Sequence, residues 1–114
     1  MEDEEIIDYC LERMQDVPVS QRGAQFRTVL AIAEHGQPIE YFDGVLRGEI
    51  LATPKPARRE GVPFWPIFYI RELDMTLGEF HASPLDFQLQ HPTHRELALL
   101  KFLKSAIFTQ SSSL

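Results

Sequence analysis

Ten residues, Gly61-Val62-Pro63-Phe64-Trp65-Pro66-Ile67-Phe68-Tyr69-Ile70, constrain this chain more than any other stretch. They hold its only tryptophan, three further aromatics and two prolines. The run from Trp65 to Ile70 is rich in aromatic and β-branched residues, so it reads as a strand. Pro63 and Pro66 bring no ladder hydrogen bond, so the start of the run reads as an edge, a bulge or a turn. The residues before it read as a helix and two long strands, and those after it as a loop and a C-terminal helix. The stretch is read as the floor of a site.

The first helix is expected from about Asp3 to Met14, where Ile6, Ile7, Cys10, Leu11 and Met14 recur at helical spacing. The acids Glu2 to Glu5 suit the positive end of the helix dipole, and their consecutive placement points them around the helix rather than at one metal ion. Pro18 ends this segment, because the residue before a proline is pushed out of the helical region. Residues 22–33 are β-like, with Phe26, Leu30 and Ile32 on one face. A turn at residues 34–38 leads to a second long strand, about Ile39 to Leu51, paired antiparallel with the first. Gly44 and Gly48 share a face of that strand, which suggests close backbone approach or a bulge.

Two helix-start signals lie beyond Arg71: a capping-box spacing at Thr76-Leu77-Gly78-Glu79, and Ser83-Pro84 with the proline at the first helical position. The last helix starts near Pro92-Thr93-His94 and carries Leu97, Leu100, Leu103 and Ile107 in one stripe. The expected fold is α+β: a twisted, mostly antiparallel sheet of three or more strands covered by the first and last helices. Its core should draw on Ile7, Leu11, Phe26, Leu30, Ile32, Phe42, Leu46, Ile50, Phe68, Ile70, Leu100 and Leu103. Residues 1–108 are expected to form one domain, and the Ser-rich tail 109–114 to be frayed.

Composition bounds the function. The 114 residues are 44% hydrophobic and 25% charged, as in an ordinary soluble globular protein. A net charge of −6 gives no general attraction for nucleic acid or anionic membranes. There is no leader-like start and no apolar run of spanning length, so the expected location is the cytoplasm. A single cysteine, Cys10, excludes an internal disulfide and reads as a small residue on the apolar helix face.

Three groups of residues carry possible chemistry. Lys55, Arg58 and Arg59 lie in a loop that is either a solvated connection or an electrostatic lip for phosphate or carboxylate. His91 and His94 are three apart, but Pro92 lies between them and no HExxH or Cys partners accompany them, so they do not form a zinc pattern. His94-Arg95 at a helix start is either a solvated helix end or a pair of donors, beside free backbone N–H groups, aimed at an anion or a carbonyl oxygen.

Taken together, the residues resemble the C-terminal half of the inosine triphosphate pyrophosphatase family, over roughly residues 5 to 105. Met14-Gln15-Asp16-Val17-Pro18 ends the amphipathic helix and Arg22-Gly23-Ala24-Gln25-Phe26 opens a strand. Gly44-Val45-Leu46-Arg47-Gly48-Glu49-Ile50 lies in the next strand. Pro66-Ile67-Phe68 matches the end of the family's Gly-Phe-Gly-aromatic-Asp-Pro-x-Phe motif, Glu79 its Ala-Glu-Leu step and Thr93-His94-Arg95 its Ser-His-Arg signature. The chain departs from the family where the stacking Phe falls on Val62, the second Gly on Pro63, the Asp on Trp65 and a lysine on Leu89. The family's N-terminal half, with its phosphate-binding and magnesium-binding residues, has no counterpart in the sequence.

The resemblance implies a relative of enzymes that cleave non-standard purine nucleoside triphosphates to monophosphate and diphosphate. It assigns Phe64 and Trp65 as an aromatic wall for the base, and Thr93, His94 and Arg95 as base-binding residues suited to the O6 carbonyl of hypoxanthine or xanthine. Lys55, Arg58 and Arg59 would form the phosphate lip. Glu79 is a candidate metal ligand, and Mg²⁺ the implied cofactor if the chain is catalytic. The first reading is a truncated relative that retains purine recognition without catalysis of its own. A second is an active pyrophosphatase completed by a homodimer or a complementary chain, with Glu49, Asp74 and Glu79 replacing absent ligands. A third is a structural interaction module with no nucleotide role. The expected partners are a purine nucleotide and a second copy or complementary chain, with neither nucleic acid nor membrane.

Overall fold

The computed structural model describes residues 2–112. The described elements are α1 (Asp3–Arg13), β1 (Gly23–Ile32), β2 (Glu40–Ile50), β3 (Phe68–Ile70), β4 (Met75–Thr76), α2 (Leu77–Ala82), α3 (Leu85–Gln90) and α4 (His94–Ser112), with 3₁₀ turns at Val19–Gln21 and Arg71–Leu73. The strands form a sheet in the order β1-β2-β3-β4. β1 and β2 are adjacent strands joined by a short loop, a connection that makes them antiparallel. β2 and β3 pair antiparallel with Ile50 opposite Phe68, and β3 and β4 with Ile70 opposite Met75. The fold is α+β, as the sequence implied. The chain divides into two compact units, one of residues 1–25 with 47–90, the other of residues 26–46 with the chain from His91 onward.

In the first unit α1 begins with a capping box: the Glu2 N–H donates to the Glu5 carboxylate, and Asp3, Glu4 and Glu5 occupy the first turn. The acids therefore serve the helix end, as their spacing suggested. Ile7 is the buried residue of this helix, while Cys10 is half-buried with a free thiol. The end of α1 is tied to β2 through one side chain. The buried Arg22 guanidinium donates to the carbonyls of Met14 (2.6 Å), Val17 (3.2 Å), Ile50 (2.7 Å) and Leu51 (3.3 Å). A charge in this position is held by backbone dipoles, and four carbonyls gain a charged donor in return.

The central stretch corrects the sequence reading. Residues 65–67 form a turn, and the strand begins only at Phe68. Pro66 has no N–H to give a ladder, and the Phe64 carbonyl takes the N–H groups of both Ile67 (3.1 Å) and Phe68 (2.9 Å). The turn expected from the prolines has displaced the strand expected from the aromatics. Ile67, Phe68, Ile70, Leu77 and Phe80 then make the buried core of this unit with Ile7 and Ile50. The capping box at Thr76 is present: Glu79 N–H donates to Thr76 Oγ1 (3.1 Å) and Thr76 N–H to Glu79 Oε1 (2.8 Å). Pro84 stands one residue ahead of α3, with its carbonyl accepting the Gln88 N–H, rather than at the first helical position.

In the second unit β1 alternates as expected, with Phe26, Leu30 and Ile32 half-buried on one face. Phe42 and Leu46 are likewise half-buried, as is Leu11 of the first unit. α4 corrects the core expectation at Leu100 and Leu103, which are 40% and 43% exposed. Its inward line is His94, Ala98 and Phe102, four residues apart, with Phe102 meeting Phe42 edge-on at 5.7 Å. Leu100 and Leu103 lie off that line on a 3.6-residue repeat. Asp43 of β2 accepts Arg27 (3.1 Å) and Lys101 (3.0 Å) at the surface. Residues 113–114 of the tail expected to fray lie outside the described residues, and the backbone is helical as far as Ser112. Among the described residues no helix is long and apolar enough to cross a membrane.

Arg22→Met deprives four carbonyls of this donor and should lower stability by about 3 kcal/mol. Urea titration should show a lower midpoint at unchanged slope, and Arg22→Lys should recover part of the loss.

Candidate functional site

The start of α4 is built from consecutive residues with divided labour. Thr93 is buried; its hydroxyl donates to Glu96 Oε2 (2.5 Å) and its carbonyl accepts the Leu97 N–H (2.9 Å). Burial would raise the Glu96 carboxyl, but the Thr93 hydroxyl, the backbone N–H groups of Glu96 and Thr93 and the neighbouring His94 bring it below its usual range. Thr93 and Glu96 thus cap the helix and fix where His94 and Arg95 begin.

The backbone of that first turn lies against β2 at Gly44. A Cβ built on Gly44 would stand 1.9 Å from the His94 carbonyl oxygen and 2.7 Å from the Ala98 nitrogen. No other residue type permits this approach. The His94 ring stacks on Phe26, centroids 5.3 Å apart and planes inclined by 19°. Its Nδ1 is buried and has no hydrogen-bond partner among the described residues. Burial, and then the charge of Arg95, push the His94 pKa below its ordinary value, with Glu96 opposing weakly. Arg95 is exposed and makes no ion pair among the described residues. The helix start therefore presents a neutral imidazole next to an uncommitted guanidinium.

The first unit holds the other residues expected from sequence. Phe64 is 38% exposed on the turn pinned by its own carbonyl. Trp65 is half-buried: its indole stacks on His81 (4.1 Å, 12°), and the Arg59 guanidinium carbon lies 4.8 Å from its ring centroid. Arg58 is ion-paired with Glu4, and the Gly61 N–H donates to Asp3 (2.8 Å). Of the three cations expected at a phosphate lip, Lys55 alone makes no side-chain contact among the described residues. A cleft of about 440 Å³ lies between this loop and α1, lined by acids such as Glu4 and Glu60, by Arg58, and by Val62 and Pro66.

The acids considered for metal are occupied. Glu79 is consumed by its capping box, Glu49 pairs with Arg71, and Asp74 accepts the Tyr69 hydroxyl, which holds that phenol above its ordinary range. Among the described residues no group of three or more His, Cys, Asp or Glu could hold a metal ion. Sequence reasoning passed over His81 and the stacking role of Phe26. No sequence spacing signals the His81 stack on Trp65, which joins a helix to a turn sixteen positions earlier.

The family model described as the Ham1 family matches residues 1–105. A dITP/XTP pyrophosphatase of Shouchella clausii is 34% identical over 99 residues, covering 87% of this chain and 48% of the relative. One of Pseudomonas aeruginosa is 37% identical over 93 residues, covering 80% and 45%. Among solved structures, the Ham1 protein of Staphylococcus aureus superimposes with a TM-score of 0.74 at 25% identity, over 95% of this chain and 52% of that one. A HAM1 protein from Coxiella burnetii gives 0.73 at 28% identity, over 96% and 53%. The chain spans about half the length of the curated relatives it matches.

Gly44→Ala should cost about 2–3 kcal/mol, because backbone has to move to admit the methyl; chemical denaturation reads it. The His94 shift has a defined sign. Between its lowered folded pKa and the ordinary value of 6.5, the unfolded chain takes up a proton that the folded chain refuses. Stability should therefore fall as pH drops below 6.5 and level off above it. His94→Phe, which keeps a ring on Phe26, should remove that part of the slope in melting temperature against pH.

Proposed function

Since the chain belongs to the Ham1 family, we propose that it carries purine-nucleotide recognition of the kind a non-standard nucleoside triphosphate pyrophosphatase requires, without a catalytic centre of its own. The observation that carries this reading is the start of α4. With Nδ1 buried and unpartnered, a proton there would be enclosed without an acceptor, so the neutral ring holds its proton on Nε2. An Nε2–H would donate to an oxo group and offer no acceptor to an amino group, and the exposed Arg95 guanidinium is a further donor at the same helix start. Such donors favour the 6-oxopurines, hypoxanthine, xanthine and guanine, and disfavour adenine, which carries an amino group at C6. Thr93 acts by holding the helix start. In the first unit, taken by itself, Phe64 and Trp65 are the aromatic residues that the resemblance proposes for a base, and Lys55 is a cation without a side-chain partner among the described residues.

Mg²⁺ would neutralise the triphosphate and activate water in a pyrophosphatase. The acids of the described residues do not fit it, since Glu79, Glu49 and Asp74 are each engaged and no three ligands gather. No step through the metal is derived. A second copy of the chain is the proposed protein partner, supported by Leu99, Leu100 and Leu103, which α4 leaves 48%, 40% and 43% exposed.

Calorimetry should show inosine and xanthosine triphosphates binding at least about tenfold more tightly than adenosine triphosphate, a difference of about 1.4 kcal/mol. Arg95→Ala should erase the preference while leaving the melting temperature within a degree or two. Equal affinity for all three, or none, would overturn the reading.

A further inference from the structure

Within the second unit the His94 imidazole rests on the Phe26 ring of β1, centroids 5.3 Å apart and planes inclined by 19°. The backbone of its helical turn is seated at Gly44 of β2. Nδ1 is buried in that seat and meets no hydrogen-bond partner among the described residues. The seat therefore suits the ring only while Nδ1 carries no proton. A proton there would be an enclosed donor without an acceptor, on a charge taken out of water, and both cost free energy.

The neighbouring groups do not offset that cost. The charges acting on His94 are Arg95, which repels an imidazolium, and Glu96, which attracts it. The Glu96 carboxylate is already held by the Thr93 hydroxyl at 2.5 Å. β1 meets the ring with Phe26 and β2 meets its turn with Gly44, neither of which is charged. Asp43, the acid next to Gly44, is bonded to Arg27 and Lys101. The Phe26 face attracts a cation weakly, whereas burial, the largest influence on His94, disfavours one. In water an imidazolium meets no such cost, so protonation is coupled to release of the ring from Phe26.

We propose that Phe26 and His94 form a pH-sensitive latch on the start of α4. The neutral imidazole stays on Phe26 and presents Nε2–H; the protonated imidazole leaves the seat, and oxopurine recognition at the helix start is lost with it. Phe26 is thus a positioning residue that acts through His94. The latch is closed above pH 6.5 and opens as pH falls from 6.5 through the lowered pKa of the seated ring. Its effect on ligand binding rests on the nucleotide reading, whereas the latch itself rests on the geometry.

Two measurements on the intact chain keep these apart. Without nucleotide, NMR should show contacts between the Phe26 and His94 rings above pH 6.5 that fade as His94 takes up its proton. Phe26→Leu lets water reach Nδ1 and should raise the His94 pKa toward 6.5. Phe26→Tyr keeps the ring face and should leave that pKa near its wild-type value. With nucleotide, the quantity read is the ratio of affinities for inosine and adenosine triphosphates, in which titration of the shared phosphates cancels. That ratio should be about tenfold well above pH 6.5 and fall toward one with its midpoint at the His94 pKa. Phe26→Leu should move the midpoint upward by as much as it moves the pKa. Ring contacts that persist in protonated His94, a pKa unmoved by Phe26→Leu, or a preference that does not change with pH would overturn the latch. No preference at any pH, with the NMR behaviour intact, would overturn the nucleotide reading and leave the latch standing.

Discussion

What α4 can offer a ligand depends on a contact that only glycine permits. At Gly44 the backbone of β2 meets the carbonyl of His94 at a distance where a Cβ would overlap it. This approach brings the helix start against the sheet, seats the His94 ring on Phe26 and buries Nδ1. The lowered basicity of the imidazole is a consequence of that burial. A wider spacing would let water reach the ring and return it toward ordinary titration. The chemistry proposed for His94 is thus set by a residue without a side chain on another element.

The first unit has a different organising constraint, the Arg22 guanidinium. It gathers carbonyls from the end of α1, the loop after it and the end of β2, and gives these inward-facing groups a donor. A lysine lacks the planar fork for this geometry, and a neutral residue lacks the donors. Several charged side chains of this unit are committed. Arg58 holds Glu4, Arg71 holds Glu49, Glu79 caps α2 and Arg59 lies over Trp65. In the second unit the same distinction separates the exposed Arg95, which makes no ion pair among the described residues, from Thr93, which is bonded to Glu96.

Local rules carried much of the fold into view from sequence. The helix end before Pro18, the Thr76–Glu79 capping box and the alternation along β1 each depend on residues close together in the chain. Gly44 and Gly48 also showed as close-approach positions, because a strand has few other uses for two glycines on one face; Gly48 meets the Phe68 ring and the Tyr69 carbonyl. What sequence missed depended on distant partners. Leu100 and Leu103 fit an apolar stripe, yet α4 turns the line through Ala98 and Phe102 inward, because the small Ala98 suits the approach at Gly44. The two-residue β4 is too short for any periodicity, and it exists because Asp74 adopts a left-handed conformation that turns the chain back onto β3. For the candidate site, the place of His94 and Arg95 at a helix start was legible from the sequence. The commitment of Trp65 to His81 was not, since it joins residues sixteen positions apart on a turn and a helix.

The central claim is that a neutral His94, its proton on Nε2, reads an oxygen-bearing purine beside Arg95. Side-chain ¹⁵N NMR of the histidines, tracked against pH and then against added inosine triphosphate, tests it most directly. The account predicts that His94 shows a protonated Nε2 with a pKa below 6.5 and that its Nε2 resonance moves on nucleotide addition. A proton on Nδ1, or a His94 resonance unmoved by saturating nucleotide, would contradict it.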